Sequence, residues 1–155
     1  MKEYRLTKEG YEELIKERKD LIDNKRKEVA KRLKEAKNSG GDLAENSEYD
    51  YAKNEQAFIE GRIEQINEIL SNYVIIENKK NKGVIELGSV VVVRDINKKR
   101  KREFKMVSSI ESDPDKNKIS DESPMGMSLL GRKEGDEVFV KTPEETKRLK
   151  IIKIK

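Results

Sequence analysis

The sequence predicts an α+β fold in which an N-terminal antiparallel α-helical coiled-coil hairpin precedes a small β-rich domain. Apolar side chains recur every three or four residues on both sides of a Gly40-Gly41 break, and residues 8–73 contain no Pro. This spacing is typical of two coiled-coil arms. Farther along, Val90-Val91-Val92-Val93 is a strong strand signal. We therefore divide the chain into a hairpin over residues 1–77 and a β-rich domain over 83–155.

The composition excludes several classes of chemistry. The 155 residues include no Cys and no His, which removes disulfides, thiol nucleophiles, Ser-His-Asp triads and the usual zinc ligands. Any metal would be a hard ion held by oxygen, such as Mg²⁺. Hydrophobic residues make up 34% and charged residues 43% of the chain, so a narrow apolar seam is more plausible than one large core. No apolar run suits a signal peptide or a membrane span, and a soluble cytoplasmic protein is expected.

The two arms of the hairpin are predicted from paired seams. Thr7 is the expected N-cap of the first helix. The first seam comprises Tyr11, Leu14, Arg18, Leu21, Lys25, Val29 and Leu33. The second comprises Ala52, Gln56, Ile59, Ile63, Ile66, Leu70 and Tyr73. Antiparallel pairing matches residues whose numbers sum to 84 in the half of the hairpin near its base and to 85 near the break. The chain therefore reverses close to residue 42, and each arm is about 45 Å long.

The seam contains two basic positions and ends in a pair of tyrosines. We interpret Arg18 and Lys25 as register devices whose stems cover apolar neighbours, while the charge reaches solvent or a carboxylate of the other arm. Tyr11 and Tyr73 are expected to pack on each other at the base of the hairpin rather than bind a ligand.

The β-rich domain is predicted from strand and helix signals after a polar linker at residues 78–83. Strands are expected over residues 89–93, 103–107, 136–141 and 149–154, with a basic loop over 96–102. That loop, Lys98–Arg102, is either a solvated turn or a contact for nucleic acid or an acidic protein surface. A short helix over 124–130 should have Ser123 as cap, Pro124 as first residue and Gly131 as stop.

The reversal is the one segment with reactive potential. Five of the ten residues 41–50 are Asp, Glu or Asn. One interpretation is structural, because Asp42 and Glu45 have the spacing of a helix cap and its capping box. The other is that these two carboxylates, one helical turn apart, present oxygen ligands to an ion that a partner shares. The two interpretations are compatible.

Charge is distributed unevenly along the chain. Residues 1–41 carry 13 basic and 9 acidic side chains, whereas residues 42–73 carry 2 basic and 8 acidic ones. Arms of opposite sign favour pairing across the hairpin. The basic residues near the reversal either take part in that pairing or contact RNA phosphates, and they are Lys31, Arg32, Lys34, Lys37 and Lys53.

These motifs resemble the bacterial Gre transcript-cleavage factors along essentially the whole chain. The run over residues 41–50, with Ala52-Lys53 and Glu55-Gln56, is similar to that family's tip signature. Leu6-Thr7-Lys8-Glu9-Gly10 resembles its N-terminal motif. Four further motifs resemble the C-terminal domain of that family, and they are Ile119-Ser120, Ser123-Pro124, Leu129-Leu130-Gly131 and Gly135-Asp136-Glu137-Val138.

The resemblance implies a transcription elongation factor rather than an enzyme. It implies an FKBP-like C-terminal domain that docks on RNA polymerase at the rim of the secondary channel, with Ser123, Pro124 and Gly131 among the matching residues. The coiled coil would enter the channel, where Asp42 and Glu45 would help to hold a second Mg²⁺ and stimulate cleavage of the 3′ end of backtracked RNA. Asn46, Glu48 and Tyr49 would orient the tip. Lys34, Lys37 and Lys53 are, from their charge and position, the candidate basic patch for the 3′ RNA beside it. No cofactor is expected on the protein alone, and a monomer without membrane contact is implied.

The chain departs from the family pattern at two places. Five residues separate Ala36 from Asp42 where the family usually has four, which leaves the reach of the tip open. Lys25-Arg26-Lys27 lacks the proline that is frequent in the first arm, so a more regular helix is expected there.

Three other functions compete with transcript cleavage. A Gre-like factor could occupy the channel and inhibit the polymerase. An FKBP-like prolyl isomerase or chaperone would need an aromatic-lined pocket, and the second half offers only Phe104 and Phe139. A bare coiled-coil scaffold would not need this tip sequence.

Overall fold

The computed structural model describes residues 2–38, 43–77 and 83–155, without the side chains of residues 43–46. The chain forms two compact units, one of residues 1–4 and 11–73 and one of residues 5–10 and 74–155. Helices come first and most strands later, which confirms an α+β fold with an N-terminal helical hairpin. The predicted linker at 78–83 lies outside the described residues except for Gly83.

The hairpin unit consists of two long helical arms. The first arm comprises α1 (Lys8–Asp20), a π-helical turn (Leu21–Lys25) and α2 (Arg26–Asn38), and the second is the 29-residue α3 (Leu43–Ser71). Val29 of α2 is buried with Ile59 and Ile63 of α3, and Leu33 packs against them. The rings of Tyr11 and Tyr73 stack with centroids 5.0 Å apart, which confirms their expected pairing.

The π-helical turn corrects the expectation of a regular first arm. Leu21 and Leu33, which both pack against the apolar cluster of the hairpin, are twelve residues apart, whereas three turns of an α-helix span about eleven residues. One wide turn absorbs the accumulated excess of about one residue. Its position coincides with the change in the predicted pairing sum from 84 to 85. Lys25 is exposed in this turn, so its assignment to the seam was wrong.

Two further seam positions differ in detail from the prediction. Ile69 is buried, whereas the predicted seam residue Leu70 is half-buried. Arg18 donates to the amide oxygen of Asn67 at 2.9 Å, so its partner on the other arm is an amide rather than a carboxylate.

Two short strands, which were not predicted from the sequence, precede and follow the helical arms along the chain. They are β1 (Tyr4–Leu6) and β2 (Tyr73–Ile75), which pair in a two-stranded sheet. With three residues each, neither is long enough to show the alternation that predicts a strand.

The second unit contains a five-stranded sheet. Its strands are β3 (Val90–Asp95), β4 (Arg100–Val107), β5 (Lys118–Ser120), β6 (Glu137–Lys141) and β7 (Thr146–Ile154), in the order β5-β4-β3-β7-β6. All pairings are antiparallel except that of β4 with β5. A 3₁₀ turn (Pro114–Lys116) precedes β5.

The predicted basic loop is shorter than expected. Asp95 pairs with Arg100, so the turn contains only residues 96–99 and Arg100, Lys101 and Arg102 belong to β4. These three side chains are exposed, and their uniform charge hides the alternation that normally predicts a strand.

The helix α4 (Pro124–Leu129) contacts β5 and β6, the two edge strands of the sheet. The sheet therefore curves around this helix, and Leu129 is fully buried against the core. Ser123 accepts a hydrogen bond from the Gly126 N–H at 3.0 Å, and Pro124 is the first helical residue. This confirms the predicted cap and start of the helix, and Gly131 follows with φ +81°.

Candidate functional site at the tip of the helical hairpin

The candidate site lies where the two arms of the hairpin meet. The first arm ends at Asn38 and α3 begins at Leu43. Asp42 therefore directly precedes the first helical residue but lies outside the described residues. Glu45 and Asn46 fall in the first turn of α3, and their side chains are likewise outside the described part of the structure. The predicted capping and metal-binding roles of Asp42 and Glu45, and the tip-supporting role of Asn46, stay predictions.

The described residues nearest the reversal form an open cleft between α2 and α3. It has a volume of about 570 Å³. Both charged and apolar groups border it, namely Arg32, Glu35, Ala36, Ser47, Glu48, Tyr51 and Ala52. Of the predicted tip-supporting residues, Glu48 lies in this cleft and is exposed.

Tyr49 and Lys53 form a local pair on α3. The Lys53 ammonium lies 6.0 Å from the centroid of the Tyr49 ring, at the four-residue spacing that brings side chains together on a helix. Tyr49 is half-buried and Lys53 is exposed. The structure thus joins a predicted tip-supporting residue with a predicted basic-patch residue.

Arginines tie the two arms together through ion pairs. Arg26 Nη2 lies 2.7 Å from Glu60 Oε1, and Arg62 Nε lies 2.6 Å from Glu17 Oε2. Arg32 pairs with Glu55 beside the cleft. Hydrogen bonds to these carboxylates raise the pKa of Arg26 and of Arg62. The expected pairing of basic residues of the first arm with acids of the second is therefore formed by Arg26 and Arg32, whereas Arg62 of the second arm pairs in the reverse sense with Glu17.

The lysines near the tip are placed differently from the arginines. Lys34 and Lys37 are exposed on α2, one turn apart. Like Lys53, they are exposed close to the reversal. Their expected contact with RNA stays a prediction.

The residues predicted to dock on a partner have clear structural contacts in the β-rich unit. Ser123 Oγ donates to the Ser120 carbonyl at 2.6 Å in addition to capping α4. The Gly131 N–H donates to the Ile85 carbonyl at 2.8 Å. Sequence reasoning missed the apolar side chains Met127 and Leu130, which are 63% and 44% exposed beside them. A docking role for this region stays a prediction.

Phe104 and Phe139 do not form an aromatic-lined pocket. Phe104 is buried in the core of the sheet, whereas Phe139 is 63% exposed on β6. The feature that a prolyl isomerase would need is therefore not built from these two rings.

Within the described residues, no helix combines the length and the apolar character needed to cross a membrane.

Comparison with known proteins places both halves of the chain in one family. Residues 4–75 match the family described as "Transcription elongation factor, N-terminal", and residues 79–155 match "Transcription elongation factor, GreA/GreB, C-term". The transcription elongation factor GreA of Clostridium acetobutylicum is 46% identical over 155 residues, covering 99% of this chain and 98% of that protein. The Thermotoga maritima GreA is 45% identical over 154 residues, with the same coverage.

Among solved structures, GreA factor homolog 1 of Thermus thermophilus is 36% identical and covers 99% of both chains, with a TM-score of 0.46. The expected resemblance to the Gre factors, and to GreA among them, is confirmed by the family matches and the relatives. The chain belongs to the GreA/GreB family of transcription elongation factors.

Proposed function

We propose that this protein binds RNA polymerase, inserts the tip of its helical hairpin into the secondary channel and stimulates cleavage of the 3′ end of backtracked RNA. Arrested elongation complexes would thereby resume synthesis. The protein would act in the cytoplasm as an accessory factor, and the polymerase would carry the reaction itself.

The observation that carries the proposal is the position of the acidic pair relative to α3. The helix begins at Leu43, so Asp42 directly precedes it and Glu45 falls in its first turn. A continuous 29-residue helix is a suitable support for two carboxylates that must reach a distant site. The positive end of the helix dipole favours acidic residues at this position.

The donor chemistry of the tip fits a magnesium ion that is shared with the polymerase. Asp42 and Glu45 would hold the ion, because carboxylate oxygens are its preferred protein ligands. Two carboxylates do not complete its coordination, so the polymerase and the RNA would supply the remaining oxygens. When bound, such an ion lowers the pKa of a water and stabilises charge during phosphodiester hydrolysis. Glu48 and the Tyr49–Lys53 pair would keep the start of α3 oriented.

We infer further that the β-rich unit has an FKBP-like fold and docks at the rim of the channel. The sheet order β5-β4-β3-β7-β6, with α4 against both edge strands, supports the fold. The exposed Met127 and Leu130 beside Ser123, Pro124 and Gly131 support docking, because neighbouring exposed apolar side chains mark protein contacts.

The test is the substitution Asp42→Asn in a cleavage assay with arrested elongation complexes. Asn caps a helix about as well as Asp, so stability and polymerase binding should persist. Cleavage stimulation should fall by about tenfold or more, because a charged ligand is lost. The matched control is Asp23→Asn, the same chemical change at an exposed position of the π-helical turn. Full stimulation by Asp42→Asn would refute the metal-binding role of Asp42.

Two further outcomes separate the competing functions. Wild-type protein that slows elongation without any cleavage would be a channel-blocking inhibitor. Cleavage of RNA by the protein in the absence of polymerase would show that it is an enzyme in its own right.

A further inference from the structure

One face of α3 differs from the rest of this highly charged molecule. Six exposed residues at steps of four and three lie along it and none is charged. They are Ser47, Tyr51, Asn54, Phe58, Gly61 and Gln65, which we call the uncharged face of α3. In a chain with 43% charged residues, an uncharged stripe of about five helical turns is unexpected for a solvated surface.

Two aromatic rings project from this face. Phe58 is 74% exposed and Tyr51 is 69% exposed, and their seven-residue separation places them two turns apart on the same side. By contrast, the neighbouring Ile59 is 4% exposed and belongs to the hairpin seam. The hairpin thus buries the branched side chain of Ile59 and leaves the larger aromatic ring of Phe58 exposed. Contact of this apolar ring with water is unfavourable in free energy.

Gly61 is a second, independent signal on the same face. Glycine weakens a helix interior relative to alanine. A Cβ built on Gly61 meets no atom within 4 Å beyond its own stretch of helix, so packing inside the protein does not require glycine here. The residue does leave the helix backbone open to close approach, one turn from Phe58.

The charges beside the face indicate what kind of surface it contacts. Acidic side chains stand three or four residues from its members on both sides, and they are Glu48, Asp50, Glu64 and Glu68. Glu55 borders the face as well, but it pairs with Arg32. Arg62 also borders the face, but it is held by Glu17 and by Gln65. An acidic border repels RNA phosphates and also repels a second copy of the same helix. It attracts lysine and arginine side chains.

We propose that the uncharged face of α3 is a protein-binding surface whose partner presents an apolar patch bordered by basic residues. Phe58 and Tyr51 insert as aromatic anchors, and Gly61 lets the partner approach the helix backbone. The partner surface belongs to RNA polymerase, which rests on the function proposed above. The face therefore holds the hairpin through its side, independently of the acids at the tip.

Site-specific crosslinking identifies the occupant. The photoreactive residue p-benzoylphenylalanine replaces Phe58 in the full chain, and the control carries it in place of Ala57, which is exposed on the adjoining side of the helix. Each protein is irradiated with arrested elongation complexes of purified RNA polymerase. We expect a protein adduct from position 58 on a polymerase peptide that contains Lys or Arg, and much less from position 57. An adduct mainly on RNA, an adduct on a second copy, or equal adducts from both positions would overturn the proposal.

Binding measurements test the anchors and the glycine separately. Phe58→Ala and Gly61→Gln should each weaken binding to RNA polymerase by about tenfold or more, as at interface hot spots. The control Ala57→Gln should change it less than about twofold. Gly61→Gln should unfold at the same or a higher urea concentration than the wild type, which separates loss of binding from loss of fold. Unchanged affinity in both face variants would overturn the proposal.

Separate measurements of polymerase binding and of RNA cleavage distinguish the protein-binding surface from the cleavage function. Asp42→Asn is expected to bind normally and to lose cleavage, whereas Phe58→Ala loses affinity and regains cleavage at high protein concentration. If the wild type binds polymerase through the face but stimulates no cleavage, the proposed function fails and the protein-binding surface stands.

Discussion

Two glycines show how local surroundings decide what a residue contributes. Gly126 lies in α4, where an added Cβ would be 1.9 Å from the carbonyl oxygen of Ser120. That oxygen also accepts from Ser123, so it is not free to move away. At Gly61, no atom beyond its own stretch of helix lies within 4 Å of the corresponding position. The same substitution should therefore have opposite effects at the two sites.

We predict that Gly126→Ala destabilises the protein by about 1–3 kcal/mol, because α4 must shift away from β5. Gly61→Ala should stabilise it by about 0.5–1 kcal/mol through helix propensity. Urea unfolding followed by circular dichroism measures both. A stabilising Gly126→Ala would show that the contact between α4 and Ser120 is looser than the structure indicates.

At the scale of the helices and strands, the hairpin depends on a narrow seam. Its interior residues include Val29, Ile59 and Ile63, and ion pairs flank them on the outside. Exposed ion pairs contribute little, typically under about 1 kcal/mol each. We therefore attribute most of the stability of the paired helices to apolar burial.

A pair of neighbouring substitutions tests this attribution. Ile59→Ala should lower the free energy of unfolding by about 2–4 kcal/mol, because it opens a cavity in the seam. Phe58→Ala, which removes a larger but exposed side chain, should change it by less than about 0.5 kcal/mol. Thermal unfolding of the helical signal provides the measurement. Equal losses would mean that Phe58 is buried within the free protein.

At the scale of the whole molecule, the second unit is assembled from both parts of the chain. Residues 5–10 belong to it although the hairpin separates them from the sheet in sequence. Glu111 accepts from the backbone N–H of Thr7 at 2.8 Å and from its hydroxyl at 2.5 Å. Arg5 pairs with Asp121 at 3.0 Å in the same unit. Thr7, predicted only as a helix cap, accepts from the Gly10 N–H at 3.1 Å and also joins this network.

The network predicts a long-range effect of one carboxylate. Glu111→Gln should lower the free energy of unfolding by about 1–2 kcal/mol, because the amide accepts the two hydrogen bonds less well than the carboxylate. The control Glu122→Gln changes an exposed side chain in the same unit. Chemical denaturation of both variants makes the comparison. No difference between them would show that the contact with Thr7 contributes nothing to stability.

The sequence by itself determined the features that depend on local pattern. A heptad seam repeats along one chain segment, so it located the arms and their reversal, and Ser123-Pro124 marked the start of α4. The metal-binding role of Asp42 and Glu45 also comes from the sequence, and it stays a prediction because their side chains lie outside the described residues.

Only the tertiary structure decided the features that depend on distant partners. The three-residue β5 exists because β4 offers it hydrogen bonds, and the π-helical turn exists because α3 keeps the two seams in register. Phe58 and Ile59 are both apolar, and their opposite burial follows from which side of α3 faces the other arm. Contacts between residues that are far apart in the sequence leave little trace in local composition, because they contribute free energy only after the chain has folded.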